Sequence, residues 1–395
     1  ACGRKMKIIK EVFDCWYESG SMPYASKHYP FENLDVFNPK KGIGYPANFI
    51  AEGLDQTRGW FYSMLVLSVA LFDKAAYQNV VVSGMVLAED GQKMSKSKKN
   101  FSDPMDVVNK FSADAVRYYL LSSPLMKAED FNFVDKGVDE VLKKNILRFK
   151  NVLSFYELYK NTKTEDLNPL ESENVLDQWI LARLNELILE VTKNMDNYEI
   201  DKAVRPIADF VDDLSTWYLR RSRDRFKMSV NSEEFTDTRN NAEQTQKNAE
   251  IIEDKDFAIA TTKYVLENLA KIYAPFMPFV AEEIWQKVTE NNFENEDKSV
   301  HLENWFEAED VDKNILEEMG EVRRIISLGL EIRAKEGIKV RQPLNELKVK
   351  SSKLSPHRRP AEEAEKLKGL LELMKDELNV KKVIFNENIE DEVEL

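Results

Sequence analysis

"ANFIAEGLDQTRGWFYSMLVLSVALFDKAAYQNVVVSGMVL", residues 47–87, decides the fold. ANFIAEG (47–53) is strand-like, LDQTRGWFYSMLVLSVALF (54–72) predicts a helix with an apolar face, and YQNVVVSGMVL (77–87) predicts a second, β-branched strand. Strand, helix and strand in one such run make a βαβ unit, hence part of a parallel sheet. The next segment, AEDGQKMSKSKKN (88–100), packs four lysines and two serines into a stretch with little to bury. On charge alone it reads as a solvated loop. Its position is more informative: it follows a strand and precedes Asp103-Pro104, a helix cap and first turn. Open α/β sheets place their ligands at the carboxyl ends of strands. Ammonium groups there suit a polyphosphate, because they offset charge developing on a leaving phosphate. No G-x-x-x-x-G-K-[ST] run is present, which excludes a Walker-type cradle.

The 395 residues suffice for two or three domains with proper cores. With 43% apolar and 32% charged residues the composition is that of a globular, soluble chain. No apolar stretch approaches the roughly 20 residues of a membrane span, and the opening ACGRKMKIIKEVFDCWYESG has no signal-peptide core. Cys2 and Cys15 allow neither a disulfide framework nor a four-cysteine zinc site, so a reducing cytoplasm is expected. His28, His301 and His357 are too scattered for metal-ligand spacing, so no metal site is expected. A net charge of −14 argues against a general nucleic-acid coat but leaves room for a partner gripped by local basic patches. The opening has neither an initiator methionine nor a recognisable first strand, and reads like the interior of a longer protein.

From residue 133 the pattern becomes helical. Residues 137–160, 175–198, 201–227 and 258–288 all repeat apolar residues at three- and four-residue spacing, predicting an α-helical bundle. Pro275 and Pro278 should break the last of them. Residues 231–256 are polar and acidic, a flexible insertion or a solvated helix. Residues 321–349 and 365–385 each read as helix then strand, a small α/β module with a turn at Gly337. The expected layout is three domains, 1–132, 133–310 and 311–395.

Lys93-Met94-Ser95-Lys96-Ser97 is letter for letter the signature loop of the class I aminoacyl-tRNA synthetases. Three further segments resemble the isoleucine branch of that family, the isoleucyl-tRNA synthetases. AEGLDQTRGWFYSML (51–65) resembles the strand-to-helix turn E-G-x-D-Q-x-R-G-W-F, and EVFDCWYESGSMPYA (11–25) the segment D-x-W-F-[DE]-S-G-S. FVDDLSTWYLRRSRDRFK (210–227) is similar to the helical anticodon-binding domain, and the tail to the C-terminal junction of the archaeal and eukaryotic-like branch. The resemblance therefore implies the C-terminal half of a Rossmann-type parallel-sheet catalytic domain, an α-helical anticodon-binding bundle, and a small C-terminal α/β module. It implies ATP-dependent activation of isoleucine and transfer to tRNA(Ile), ATP with Mg2+, and a cytoplasmic monomer. A valine or methionine enzyme and a non-catalytic tRNA-binding paralogue are the alternatives.

By the same resemblance Lys96 stabilises the pyrophosphate side of the transition state, with Lys93, Ser95 and Ser97 shaping the loop. Glu52 at a strand end can hold an amino group, Gly53 lets backbone approach a ligand, and Asp55 and Gln56 can bond ribose hydroxyls. Gly84, Met85 and Val86 become neighbours of adenine. Trp16 and Tyr17, expected at a strand end beside a turn at Ser19-Gly20-Ser21, would shape the amino-acid pocket with Glu52 or fill core. Trp217, Arg220, Arg221, Arg223 and Arg225 suit an RNA backbone and unstacked bases. Two departures stand out: no H-x-G-H tetrapeptide and no inserted editing domain. They lead to the expectation of a C-terminal part of a longer synthetase, inactive in adenylate formation alone. Zinc is associated with the family, but the residues here build no zinc site, and no carboxylate can be assigned to Mg2+.

Overall fold

The computed structural model describes residues 8, 10–12, 14–95, 97–160, 167–227, 241–295, 297–306, 308–350, 364–386 and 388–395, with backbone alone at 241–252 and 364–365. The chain divides into two compact units. One gathers residues 1–107, 119–137 and 198–201, and the other 108–118, 138–197 and 202–395.

The first unit is built on the expected βαβ run. β1 (Ala47–Gly53) and β2 (Tyr77–Ser83) pair in parallel, Ala47 opposite Tyr77 and Gly53 opposite Ser83. A 3-10 turn, Leu54–Arg58, leads into the crossover helix α2 (Trp60–Phe72), which stops at Asp73 in the left-handed region (φ 54°). The core beneath them is aromatic. Phe37, Tyr45, Ile50, Phe61 and Met64 are buried, and Tyr29, Phe37, Tyr45 and Phe72 meet edge to face at centroid distances of 5.3–5.9 Å. Such contacts add about 0.5–1.5 kcal/mol each beyond burial.

Two expectations are corrected in this unit. The run 77–87 is not one strand: it divides at Gly84, and β3 (Val86–Leu87) pairs in parallel with β4 (Phe131–Asn132) instead. The Gly84 N–H donates to Leu125 O at 2.8 Å, and a Cβ at Gly84 would lie 1.9 Å from Glu129 O. Only glycine admits that approach, so the strand changes partner there. Nor is Ser19-Gly20-Ser21 a turn beside a strand. It lies inside α1 (Cys15–Ala25), capped by Asp14, whose Oδ1 accepts the Trp16 N–H at 2.8 Å. Both serines bond back to the preceding turn, Ser19 to Trp16 O and Ser21 to Glu18 O, and so stay helical. Gly20 is a contact residue: its Cβ would fall 2.9 Å from Leu67 and 3.0 Å from the Ser63 backbone of α2.

The second unit is a helical bundle with a small α/β tail. Leading into it, α3 (Pro104–Phe111) starts where Asp103-Pro104 predicts, with Met105 N–H donating to Asp103 Oδ1 at 2.8 Å. α4 (Ala113–Leu121) follows. The helical run over 137–160 is α5 (Asp135–Val141), a wide π-type turn at Leu142–Ile146, and α6 (Leu147–Glu157). α7 (Val175–Asp196) is capped by Asn174. The run over 201–227 is α8 (Ile200–Asp212), a second π-type stretch at Asp213–Leu219, and α9 (Arg220–Lys227). α10 (Asn241–Tyr273) takes in the end of the polar stretch 231–256, and residues 231–240 lie outside the described ones. The chain breaks after Tyr273 and resumes in α11 (Pro278–Val288) with proline in its first turn, as the two prolines require. Asp114 accepts the Val280 N–H at 2.7 Å at that start; burial raises its pKa, against the pull of the N–H donors.

The tail runs α12 (Lys313–Lys335), a turn at Gly337 (φ 69°), β5 (Leu344–Val349), α13 (Ala364–Leu378), β6 (Val380–Phe385) and β7 (Val393–Glu394). β5 and β6 are parallel across α13, and β7 adds antiparallel to β5. Arg333, 1% exposed, ties the module together. Its guanidinium donates to the carbonyls of Lys339, Gln342, Leu378 and Asn379 at 2.6–3.3 Å. No helix among the described residues is long and apolar enough to cross a membrane.

Candidate functional site

The carboxyl end of β1 places Glu52 and Asp55 at the surface, with Gly53 between strand and turn. Gln56 does not face outward freely. Its Oε1 accepts the Trp60 N–H at 2.8 Å, closing the start of α2, and its Nε2 donates to Asp55 Oδ2 at 3.3 Å. A Cβ at Gly53 would lie 2.7 Å from Asp55 Oδ1, the end of an exposed side chain that can turn aside.

Trp16 and Tyr17 lie on the first turn of α1, 45% and 48% exposed. With Arg58, Gly59, Tyr62, Ser63, Val66 and Leu67 they line an open concavity of about 310 Å³. Gly59 makes room for the indole, because its Cβ would stand 2.9 Å from Trp16 Cη2. Glu52 does not line this concavity, so the three residues assigned to the amino-acid pocket are not brought together in it.

β3 runs straight into the lysine loop. Met85 O and Leu87 O accept from the N–H groups of Phe131 and Phe133 at 2.9 Å, which fixes Val86 within the β3–β4 pairing. A tight turn follows: Gly91 N–H donates to Ala88 O, Ala88 N–H to Gln92 O, and Gly91 has φ 75°. Lys93 then bridges back to Leu87. Ser95 Oγ and Ser97 Oγ are 2.8 Å apart, Lys98 Nζ donates to Gln92 Oε1 at 2.9 Å, and Lys98 and Lys99 N–H groups both converge on Ser95 O. Lys93, Ser97, Lys98 and Lys99 are exposed; Lys96 lies outside the described residues. Beneath the loop, Ala88, Met94, Asn100, Phe101, Ser102 and Asp135 help line a cavity of about 260 Å³. Sequence reasoning passed over Asn100, whose carboxamide bonds the loop backbone on both sides.

The arginine run of α9 does not form one exposed basic face. Arg225 is a structural ion-pair residue, 7% exposed, and this corrects its assignment to RNA. Its guanidinium donates to both oxygens of fully buried Asp177 at 2.9 and 2.7 Å and to Asp254 at 2.8 and 2.9 Å. Burial works against its charge, but Asp177 and Asp254 outweigh that and hold the pKa above the usual arginine value. Tyr218 completes the cluster, donating to Asp177 Oδ1 at 2.8 Å; burial and the Asp177 charge push its hydroxyl well above the ordinary range. Trp217 is likewise turned inward, 8% exposed, and offers no free ring face for a base. Arg220 and Arg323 sit 5.9 and 5.2 Å from its centroid. Arg221 pairs with Asp376 and Glu377 of α13, and Arg220 with Glu377. Arg223 is exposed and makes no ion pair with the described residues. The missing signal was distance along the chain, since Asp177 lies 48 positions from Arg225. Among the described residues no group of three or more His, Cys, Asp or Glu could hold a metal ion.

Residues 3–132 match the family of class I tRNA synthetases for I, L, M and V, and residues 177–350 match the anticodon-binding domain of tRNA ligases. Among curated proteins, the isoleucine–tRNA ligase of Chlamydia abortus is 40% identical over 97% of this chain, and that of Protochlamydia amoebophila 41% over 100%. The isoleucine–tRNA ligase of Treponema denticola is 39% identical over 100% of the chain. The chain spans about a third of the length of these relatives, 34%, 35% and 34% respectively. Among solved structures, the LeuRS of a ternary complex with tRNA and LeuAMS from Agrobacterium radiobacter aligns with a TM-score of 0.52 at 20% identity. It covers 76% of this chain and 33% of its own, and speaks to the fold alone.

Proposed function

We propose, for a chain that belongs to the class I tRNA synthetases, that it carries the nucleotide-handling loop and the tRNA-holding bundle of an isoleucine–tRNA ligase. The reaction is attack of an isoleucine carboxylate oxygen on the α-phosphorus of ATP. The bond to the β-phosphate breaks and pyrophosphate leaves with the electron pair. A hydroxyl of the 3′-terminal ribose of tRNA(Ile) then attacks the carbonyl carbon, the bond to the adenylate oxygen breaks, and AMP leaves as the hydroxyl gives up its proton. Such chemistry depends on positioning and on charge stabilisation of the leaving group. The observation that carries the reading is the lysine-rich loop delivered by β3 at the carboxyl end of a parallel pair.

In this reading Lys93 and Lys96 meet the pyrophosphate, with Ser95 and Ser97 keeping the loop narrow. Glu52 holds the amino group, Gly53, Asp55 and Gln56 border the ribose, and Gly84, Met85 and Val86 border adenine. Trp16 and Tyr17 flank the isoleucine side chain. Mg2+ arrives with the nucleotide, held chiefly by its phosphates and water. The protein acts as a cytoplasmic monomer. Arg220 and Arg223, the two exposed arginines of the run, are the candidate phosphate contacts of the bundle.

Calorimetric titration with a non-hydrolysable isoleucyl-adenylate analogue tests this directly. Glu52→Ala is expected to weaken the analogue at least about tenfold, the loss of one charge-assisted hydrogen bond. Lys93→Ala is expected to leave the analogue alone and weaken inorganic pyrophosphate. An analogue that fails to bind at millimolar concentration, or binds both variants equally, sinks the assignment. For RNA, Arg223→Ala should reduce the slope of log K against log salt by roughly 0.7–0.9, one phosphate contact. An unchanged slope removes Arg223 from the contact set.

A further inference from the structure

The shape of the lysine loop comes from a side chain that is not one of its lysines. Asn100 Oδ1 accepts the Ser95 N–H at 2.9 Å, while Asn100 Nδ2 donates to Lys93 O at 3.3 Å. One carboxamide thus bonds the loop backbone at two points, the Ser95 N–H and the Lys93 carbonyl. The residue type is restrictive. A carboxylate accepts but cannot donate, and a hydroxyl is too short to reach two backbone groups at once. The chain is turned back for this purpose by Lys99, whose φ of 51° brings Asn100 under Ser95, with Lys98 and Lys99 N–H groups meeting Ser95 O at 3.2 and 3.0 Å. Asn100 is half-buried at the rim of the cavity it shares with Met94 and Phe101.

An exposed, charged loop of this length has little apolar burial to offset the conformational entropy lost on ordering it. Two side-chain bonds to its backbone are therefore decisive for its conformation. We propose that Asn100 is the positioning residue of this loop, setting its backbone so that the Lys93 ammonium and its neighbours present together to a polyphosphate. The proposal rests on the polyphosphate reading of the loop given above.

The test uses the 395-residue chain and its Asn100→Ala and Asn100→Asp variants. Tryptic cleavage after Lys93 and Lys98 is timed by mass spectrometry, and inorganic pyrophosphate is titrated calorimetrically. Asn100→Ala is expected to be cut about tenfold faster within the loop, the loss of two hydrogen bonds. Its overall melting temperature should stay within a few degrees of the parent, and its pyrophosphate affinity should fall by a similar factor. Asn100→Asp keeps the acceptor for Ser95 N–H and should recover much of the protease resistance. It should not recover pyrophosphate binding, because it adds a negative charge beside the ligand. Cleavage unchanged in Asn100→Ala overturns the proposal, as does faster cleavage with unaltered pyrophosphate affinity. A parent chain that does not bind pyrophosphate fails differently: the polyphosphate reading falls, and the cleavage rates alone then decide whether Asn100 sets the loop.

Discussion

Replacing Arg225 by methionine is expected to cost about 3–5 kcal/mol of stability in the helical unit, the usual penalty for removing one partner of a buried ion pair. Asp177 is fully buried, and its two oxygens accept from Arg225, Tyr218 and Ser172. Without the guanidinium, Asp177 and Asp254 are left with no cation between them. Lysine is not an adequate substitute. One ammonium cannot reproduce a fork that reaches both Asp177 oxygens and both Asp254 oxygens, so Arg225→Lys should fall between the parent and Arg225→Met. Urea unfolding followed by tryptophan fluorescence is the direct measurement, since Trp179 and Trp217 are buried in this unit. The melting temperature should drop by on the order of 10 °C for a unit of this size. A loss under about 1 kcal/mol would mean that the cluster relaxes or hydrates readily, and that the arginine is available to a ligand after all.

Gly84→Ala is expected to be comparably damaging in the other unit, about 3 kcal/mol or more, because the obstacle is backbone and cannot rotate aside. The added Cβ would meet Glu129 O at 1.9 Å, its carbonyl carbon at 2.4 Å and its nitrogen at 2.8 Å. Relief requires β3 to separate from the segment that precedes β4, which also detaches the base of the lysine loop. Hydrogen exchange should accelerate in residues 84–88 and 125–133 together, without any ligand present. If exchange in both segments matches the parent, the close approach is not a constraint and Gly84 acts only where a ligand touches it.

Some of this architecture was legible because its cause is local. The β1–α2–β2 run declares itself by apolar pattern and turn residues, and the break at Pro278 by a missing N–H. The π-type stretches at Leu142–Ile146 and Asp213–Leu219 were not anticipated, each lying inside a run that reads as one continuous helix. Other errors share a different cause: residues were judged by type when their partners lie far along the chain. Ser19-Gly20-Ser21 reads as a turn until α2 is known to press on Gly20. Arg225 reads as an RNA contact until Asp177 and Asp254 are known to enclose it. The site divided in the same way. The lysine loop was visible as a word, whereas Asn100, which acts on backbone through a carboxamide, belongs to no periodicity or charge pattern.

The clasp at Arg333 has a practical corollary for any test of RNA binding by this chain. High ionic strength is the ordinary means of stripping nucleic acid from a protein, and it weakens exposed charge pairs indiscriminately. The four groups that grip Arg333 are carbonyl dipoles with no net charge, in a site that water scarcely reaches. Dissolved ions shield such contacts far less than an exposed ion pair, so a wash strong enough to release an RNA leaves the tail module clasped internally, while the partly exposed pairs of Arg220 and Arg221 with α13 weaken.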